Sequence, residues 1–140
     1  MNSPWPFNEE HDLFRKSIRE FIKEEITPHV DDWEEHEKIP RRLFHRMGEL
    51  GFLGVEYPIE FGGGGSDFWM SIVLAEELAR CRSGGVAFSV VVHTDMSSPW
   101  IARLGTQEQK TYFLPDIVKG NKICALAITE PNAGSDMAAL

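Results

Sequence analysis

The sequence predicts a mainly α fold, five or six helices followed by one β-strand. Three features predict it. Apolar residues recur at three- and four-residue steps through most of the chain, and capping residues stand at the head of those runs. One late segment, 123–129, is instead apolar on both alternating faces, as a strand covered on both sides would be.

Asn8 is placed to cap the first helix, with Glu9, Glu10 and Asp12 at the positive end of its dipole. Leu13, Phe14, Ile18, Phe21, Ile22 and Ile26 then form one apolar stripe, which Pro28 ends or disrupts. The mixed charges of 31–38 read as a solvated connection anchored by Trp33. Pro40 opens a second helix at its first position, Leu43, Phe44, Met47 and Leu50 supply its buried side, and Gly51 suits the left-handed residue after it. The stretch "GFLGVEYPIEFGGGG" mixes apolar and turn residues and is expected to be irregular.

Ser66 or Asp67 caps a third helix running to about Arg80. Small and apolar residues from Gly84 to His93 suit a buried helix, although "FSVVVH" alone would read as a strand. A short helix is expected over 98–104. Thr106 with Gln109 has the capping-box spacing for a last helix through about Val118, bent or interrupted at Pro115. A lone strand at 123–129 cannot satisfy its own backbone groups, so more sheet is expected than this sequence contains.

The 140 residues suit one ordinary domain, or a domain and part of another. Fourteen basic against 22 acidic residues leave a formal charge of −8, which argues against nucleic-acid binding. No uncharged apolar run reaches the roughly 18 residues of a membrane span, and the first seven residues lack a signal-peptide pattern. Cys81 and Cys124 show no metal-ligand or CxxC spacing and read as reduced, packed thiols. A reducing cytoplasm is the simplest compartment, or the mitochondrial matrix if a transit peptide has been removed.

Most candidate sites have an ordinary structural reading. "FGGGGSD" could cradle a phosphate, but it lacks the P-loop lysine and equally suits a turn before a capped helix. His11, His29, His36 and His45 read as surface residues and His93 as a helix cap; no metal-ligand pairing joins them. Glu76 and Glu77 are adjacent on a helix, point about 100° apart and do not form a paired-carboxylate site. "TEPNAGSD" is different. The expected strand delivers Thr129, Pro131 stiffens the turn, Asn132 and Gly134 tolerate positive φ, and Ser135 offers a hydroxyl and an N–H. Such a loop suits a ligand or an ordinary turn.

That loop resembles the flavin-binding motif of the acyl-CoA dehydrogenases, Thr-Glu-Pro-x-Ala-Gly-Ser-Asp. "MGELGFLGVEYPIEFGGGG", "AEELAR" and "LGTQEQKTYFLPDIVKGNKICALAITEPNAGSD" look like successive signatures of the family in the right order, and the resemblance covers about 7–140. It implies the N-terminal helical domain over 1–120 and the start of a central β domain over 121–140, with the C-terminal helical domain absent.

The resemblance also implies FAD as cofactor and an acyl-CoA as substrate, dehydrogenated between its α and β carbons to a 2-enoyl-CoA. Thr129 would hydrogen-bond the flavin ring. Leu126, Ala127 and Ile128 would lie along it, and Gly134 and Ser135 would approach the pyrophosphate, Ser135 also lying near the thioester. Val91 and Val92 would border the acyl chain and are small enough to leave a pocket. No residue of this chain is assigned as catalytic, because the family's glutamate base belongs to the C-terminal domain. The chain alone is therefore expected to be inactive. An electron-transfer flavoprotein is the implied acceptor, and a homotetramer or homodimer the implied assembly. An oxygen-using oxidase or flavin monooxygenase of the same fold is the competing enzyme reading. A non-catalytic helical binding module is a third, which leaves the two-faced segment unexplained.

Overall fold

The structure, a computed structural model, describes residues 6–139. Helix α1 (Glu9–Phe21) starts where the Asn8 carboxamide accepts the N–H groups of Glu10 and His11 at 2.9 and 3.2 Å. His11 Nδ1 accepts the Asn8 N–H at 3.0 Å, closing a capping box with histidine in the usual Glu or Gln position. Beyond Phe21 the helix widens into a π-turn (Ile22–Ile26), then tightens to a 3-10 turn at Thr27–His29 around Pro28. Thr27 Oγ1 donates to the Ile22 carbonyl at 3.0 Å across the widened turn.

The expected connection at 31–38 is helical through residue 35: α2 spans Val30–Glu35. Val30 and Trp33, three residues apart, are both buried in the main core, and that packing outweighs the polar character of their neighbours. Helix α3 (Arg41–Glu49) takes Pro40 as its N-cap rather than its first residue. It ends before Gly51, whose φ of +74° is the expected left-handed stop.

Residues 52–67 are irregular yet well packed, burying Phe52, Leu53, Val55, Tyr57 and Phe61. The glycine run is a close-approach device: a Cβ on Gly63 would stand 2.2 Å from the Tyr57 carbonyl oxygen. Asp67 caps α4 (Phe68–Leu78), and its carboxylate also meets His11 Nε2 at 3.0 Å. Ser83 caps α5 (Gly84–Val91), which continues as a second π-turn (Val92–Ser97) into α6 (Pro99–Leu104). Helix α7 (Gln107–Val118) opens with the expected Thr106–Gln109 capping box and passes through Pro115.

The main core joins α1 to α5 through Ile18, Phe21, Trp33, Phe44, Leu74 and Val90. A smaller cluster packs Tyr57 and Phe61 against Leu114, Ile117 and Val118 of α7. The described residues are mainly α, as expected, but 123–129 forms no ladder. Their one β-type pairing is an isolated bridge between Glu130 and Ala133. A strand is defined by its partner, and an apolar alternation without one remains unpaired chain.

Candidate functional site

The candidate site begins where α7 hands the chain on. Gly120 takes a φ of +73°, and an added Cβ would lie 2.2 Å from the Phe44 carbonyl oxygen, so the turn presses directly on α3. Asn121 N–H donates to the Asp116 carbonyl at 2.8 Å, and Lys122 Nζ meets the Asp116 carboxylate at 2.7 Å. The Cys124 N–H then donates to His93 Nδ1 at 3.0 Å. These contacts fix the direction in which 125–129 leaves the helical body.

Leu126 and Ile128 stand against the π-turn and α6. With Asp95, Met96, Pro99, Trp100, Arg103 and Leu104 they line a groove of about 420 Å³. Met96, Trp100 and Leu104 recur every four residues and are 39%, 63% and 74% exposed, an apolar stripe facing the groove instead of the core. Ala127 and Thr129 are exposed and do not line it. Among the described residues the backbone groups of 125–129 make no hydrogen bond, leaving donors and acceptors free beside an apolar wall.

The loop that follows is a tight turn. Glu130 N–H donates to the Ala133 carbonyl at 2.8 Å, and Ala133 N–H returns to Glu130 at 3.2 Å. Ala133 is buried, whereas Gly134 and Ser135 are exposed. Neither Asn132 nor Gly134 uses the positive φ that it would tolerate; the reciprocal 130–133 pair closes the turn without one. A Cβ on Gly134 would meet nothing within 4 Å, so the backbone there faces open space.

A second groove of about 290 Å³ lies behind the π-turn and shares Asp95, Pro99 and Arg103 with the first. Tyr57 lines it, and its buried hydroxyl lies 2.9 Å from the Thr94 carbonyl and 2.6 Å from Ser98 Oγ. Burial pushes the Tyr57 phenol above its ordinary range. Burial likewise raises the Asp95 carboxyl, although the residue as a whole is exposed. The hydroxyl of Thr94, 2.6 Å from Asp95 Oδ2, opposes that shift.

Val91 and Val92 are half-buried at the end of α5 and the start of the π-turn, and neither lines the groove beside Leu126. Two histidines depart from expectation. His11 is buried, and its Nε2–H donates to the carboxylate of Asp67, 56 residues away. His93 caps no helix; it is fully buried in the π-turn, its Nε2 3.3 Å from the Ile117 carbonyl. The sequence reading also missed the groove wall, although the four-residue spacing of Met96, Trp100 and Leu104 was a usable signal. Among the described residues no group of three or more His, Cys, Asp or Glu could hold a metal ion, and no helix is long and apolar enough to cross a membrane.

Comparison with known proteins agrees with this architecture. The family model described as "Acyl-CoA dehydrogenase, N-terminal domain" matches residues 8–121. The long-chain specific acyl-CoA dehydrogenase, mitochondrial, of Sus scrofa is 40% identical over 131 residues, covering 94% of this chain and 30% of that protein. An acyl-CoA dehydrogenase from Geobacillus kaustophilus superposes with a TM-score of 0.91 at 42% identity, covering 97% of this chain and 35% of the other. An acyl-CoA dehydrogenase complexed with FAD, from Bacillus anthracis, gives 0.90 at 37% identity, covering 99% and 24%. The chain thus spans about a third or less of the length of these relatives. With most of its length matched by the family model, the chain belongs to the acyl-CoA dehydrogenase family.

Proposed function

We propose that the protein acts in the FAD-dependent α,β-dehydrogenation of an acyl-CoA thioester, and that 126–135 forms one side of its flavin site. The observation carrying this reading is Leu126 and Ile128 on an apolar groove, next to backbone whose hydrogen-bonding groups are free among the described residues. A flat ring with a polar edge needs such a surface: apolar contact for its face, and N–H and C=O groups for its rim.

The residues present fit that group. Thr129 is exposed beside the unpaired backbone, and its hydroxyl would bind the ring edge. The open space at Gly134 leaves room for a phosphate chain to approach the main chain, with the Ser135 hydroxyl next to it. Trp100, Met96 and Leu104 would exclude water from one flank. When bound, FAD would supply the hydride acceptor that amino-acid side chains cannot.

This chain's part in the reaction is to orient and enclose. We assign no catalytic base within it. Glu77 is sequestered by three arginines, Arg15, Arg19 and, more distantly, Arg80, and Glu130 is exposed, its backbone closing the turn with Ala133. The 140-residue chain alone is therefore expected to show no turnover. An acyl-CoA substrate and an electron-transfer flavoprotein as acceptor follow from the same family reading, as does a homo-oligomeric assembly. Val91 and Val92 would border the acyl chain.

The test is the flavin content of the protein expressed from its entire reading frame. It should purify yellow or take up FAD stoichiometrically, and Thr129→Val should alter the flavin absorption bands. A protein that neither carries nor takes up FAD would refute the reading; an unaltered spectrum in the variant would remove the role given to Thr129.

A further inference from the structure

His93 makes the join between the helical body and the flavin-facing segment. Its ring is fully buried, with Phe44 of α3 edge-on at 5.5 Å between centroids. One nitrogen faces the Ile117 carbonyl in the last turn of α7 and the other faces the Cys124 N–H, seven residues further on. A backbone N–H only donates and a carbonyl only accepts, so both contacts are satisfied in a single state of the ring. Nδ1 must be bare, to accept from Cys124, and Nε2 must carry the hydrogen that it donates to Ile117. The opposite tautomer would lose both bonds, and a doubly protonated ring would set Nδ1–H against the Cys124 N–H.

The location gives this requirement a purpose. Among the described residues, the bond to Cys124 is the last hydrogen bond before 125–129, where none is made. Leu126 follows two residues later and Ile128 four, both on the groove wall. The π-turn that carries His93 also carries Asp95 and Met96 of that same wall. One side chain therefore sets the spacing between the groove's two sides.

We propose that His93, as its neutral Nε2–H tautomer, is a positioning residue that clamps the exit of α7 and fixes where Leu126 and Ile128 meet the groove. Its influence on flavin rests on the functional reading above; the clamp itself does not.

Two substitutions separate the two bonds. In His93→Asn the amide oxygen takes the place of Nδ1, keeping an acceptor for Cys124 and giving up Ile117. In His93→Gln the longer amide reaches toward Ile117 and gives up Cys124. The protein from the entire reading frame is followed by three readouts: ring nitrogen shifts of His93 by 15N NMR, exchange of the Cys124 amide, and the flavin absorption spectrum. Expected are a bare Nδ1 and protonated Nε2 at neutral pH, Cys124 exchange faster by roughly fivefold to tenfold in the Gln variant, and near-native exchange in the Asn variant. The flavin bands should shift with Gln and be largely restored with Asn. A protonated Nδ1 in the unmodified protein overturns the proposal even if neither variant folds, and so does Cys124 exchange that is equal in both folded variants. A protein without flavin would instead remove the functional reading, leaving the clamp to be judged by the tautomer and the exchange rates.

Discussion

Arg19 on α1 grips Glu77 on α4 through two nitrogens, Nε to Oε2 at 2.9 Å and Nη2 to Oε1 at 2.8 Å. Arg15 adds a third contact at 3.0 Å, and the Glu77 side chain is only 2% exposed. The Arg19 guanidinium, with Arg15 beside it, holds the Glu77 carboxyl below its ordinary value against the opposing effect of burial. Glu77→Ala should therefore destabilise the fold by roughly 1.5–3 kcal/mol, read from urea unfolding, because Arg19 loses its buried acceptor while Arg15 keeps only the Glu76 carboxylate at 2.7 Å. Arg19→Ala should do clearly less, since that side chain is half in water.

The acid side of the stability profile should show two windows. Burial lowers the pKa of His93 from its ordinary 6.5, so the unfolded chain takes up the proton first. Stability is then complete above about pH 6.5 and falls as pH drops toward the folded value. Among the described residues the ring meets Phe44, the Ile117 carbonyl and the Cys124 N–H, and no carboxylate among these partners offsets the effect of burial. Glu77 has the second window: its contribution is present above about pH 4.3 and is lost as pH falls through its depressed folded value. Unfolding free energies measured from pH 4 to pH 8 should decline below about pH 6.5 in the native chain. The slope near pH 6 should flatten in His93→Asn.

Tyr57→Phe removes the hydroxyl that meets Thr94 and Ser98 behind the π-turn. The ring still packs, so the loss isolates the hydrogen bonds: about 1–2 kcal/mol by denaturant unfolding. Amide exchange should also quicken within Val92–Ser97, the turn that hydroxyl holds.

The caps were legible in the sequence, and the tertiary exceptions were not, for one physical reason. Asn8, Asp67 and the Thr106–Gln109 pair act on backbone groups within three residues, so spacing alone reveals them. Helix α2 depends on Val30 and Trp33 entering a core built from distant helices, and the buried His11 meets a partner 56 positions away. The π-turns at Ile22–Ile26 and Val92–Ser97 continue helical periodicity with one extra residue per turn, a shift that an apolar stripe does not register. At 123–129 the apolar alternation predicts a strand covered on both faces, whereas the described residues form no ladder there and leave most of the segment exposed. Of the candidate site, the loop at 129–136 is legible as a motif; the four-residue spacing of Met96, Trp100 and Leu104 is legible too, but that this stripe walls a groove follows only from α6 lying beside Leu126.

That wall separates folding from binding. Trp100 and Leu104 are mostly exposed, so Trp100→Ala and Leu104→Ser should each change unfolding free energy by no more than about 0.5 kcal/mol. In the protein from the entire reading frame, the same changes should weaken flavin retention, measured by release during dialysis. Unchanged retention would mean that the stripe serves some other contact.

We propose that this helical body and its exposed loop serve flavin-dependent dehydrogenation of a thioester. Anaerobic titration of the flavin-loaded protein with acyl-CoAs of graded chain length tests it most directly. The predicted result is loss of the oxidised flavin absorbance with a suitable acyl-CoA and appearance of the 2-enoyl-CoA. A flavin that stays oxidised with every acyl-CoA would contradict it.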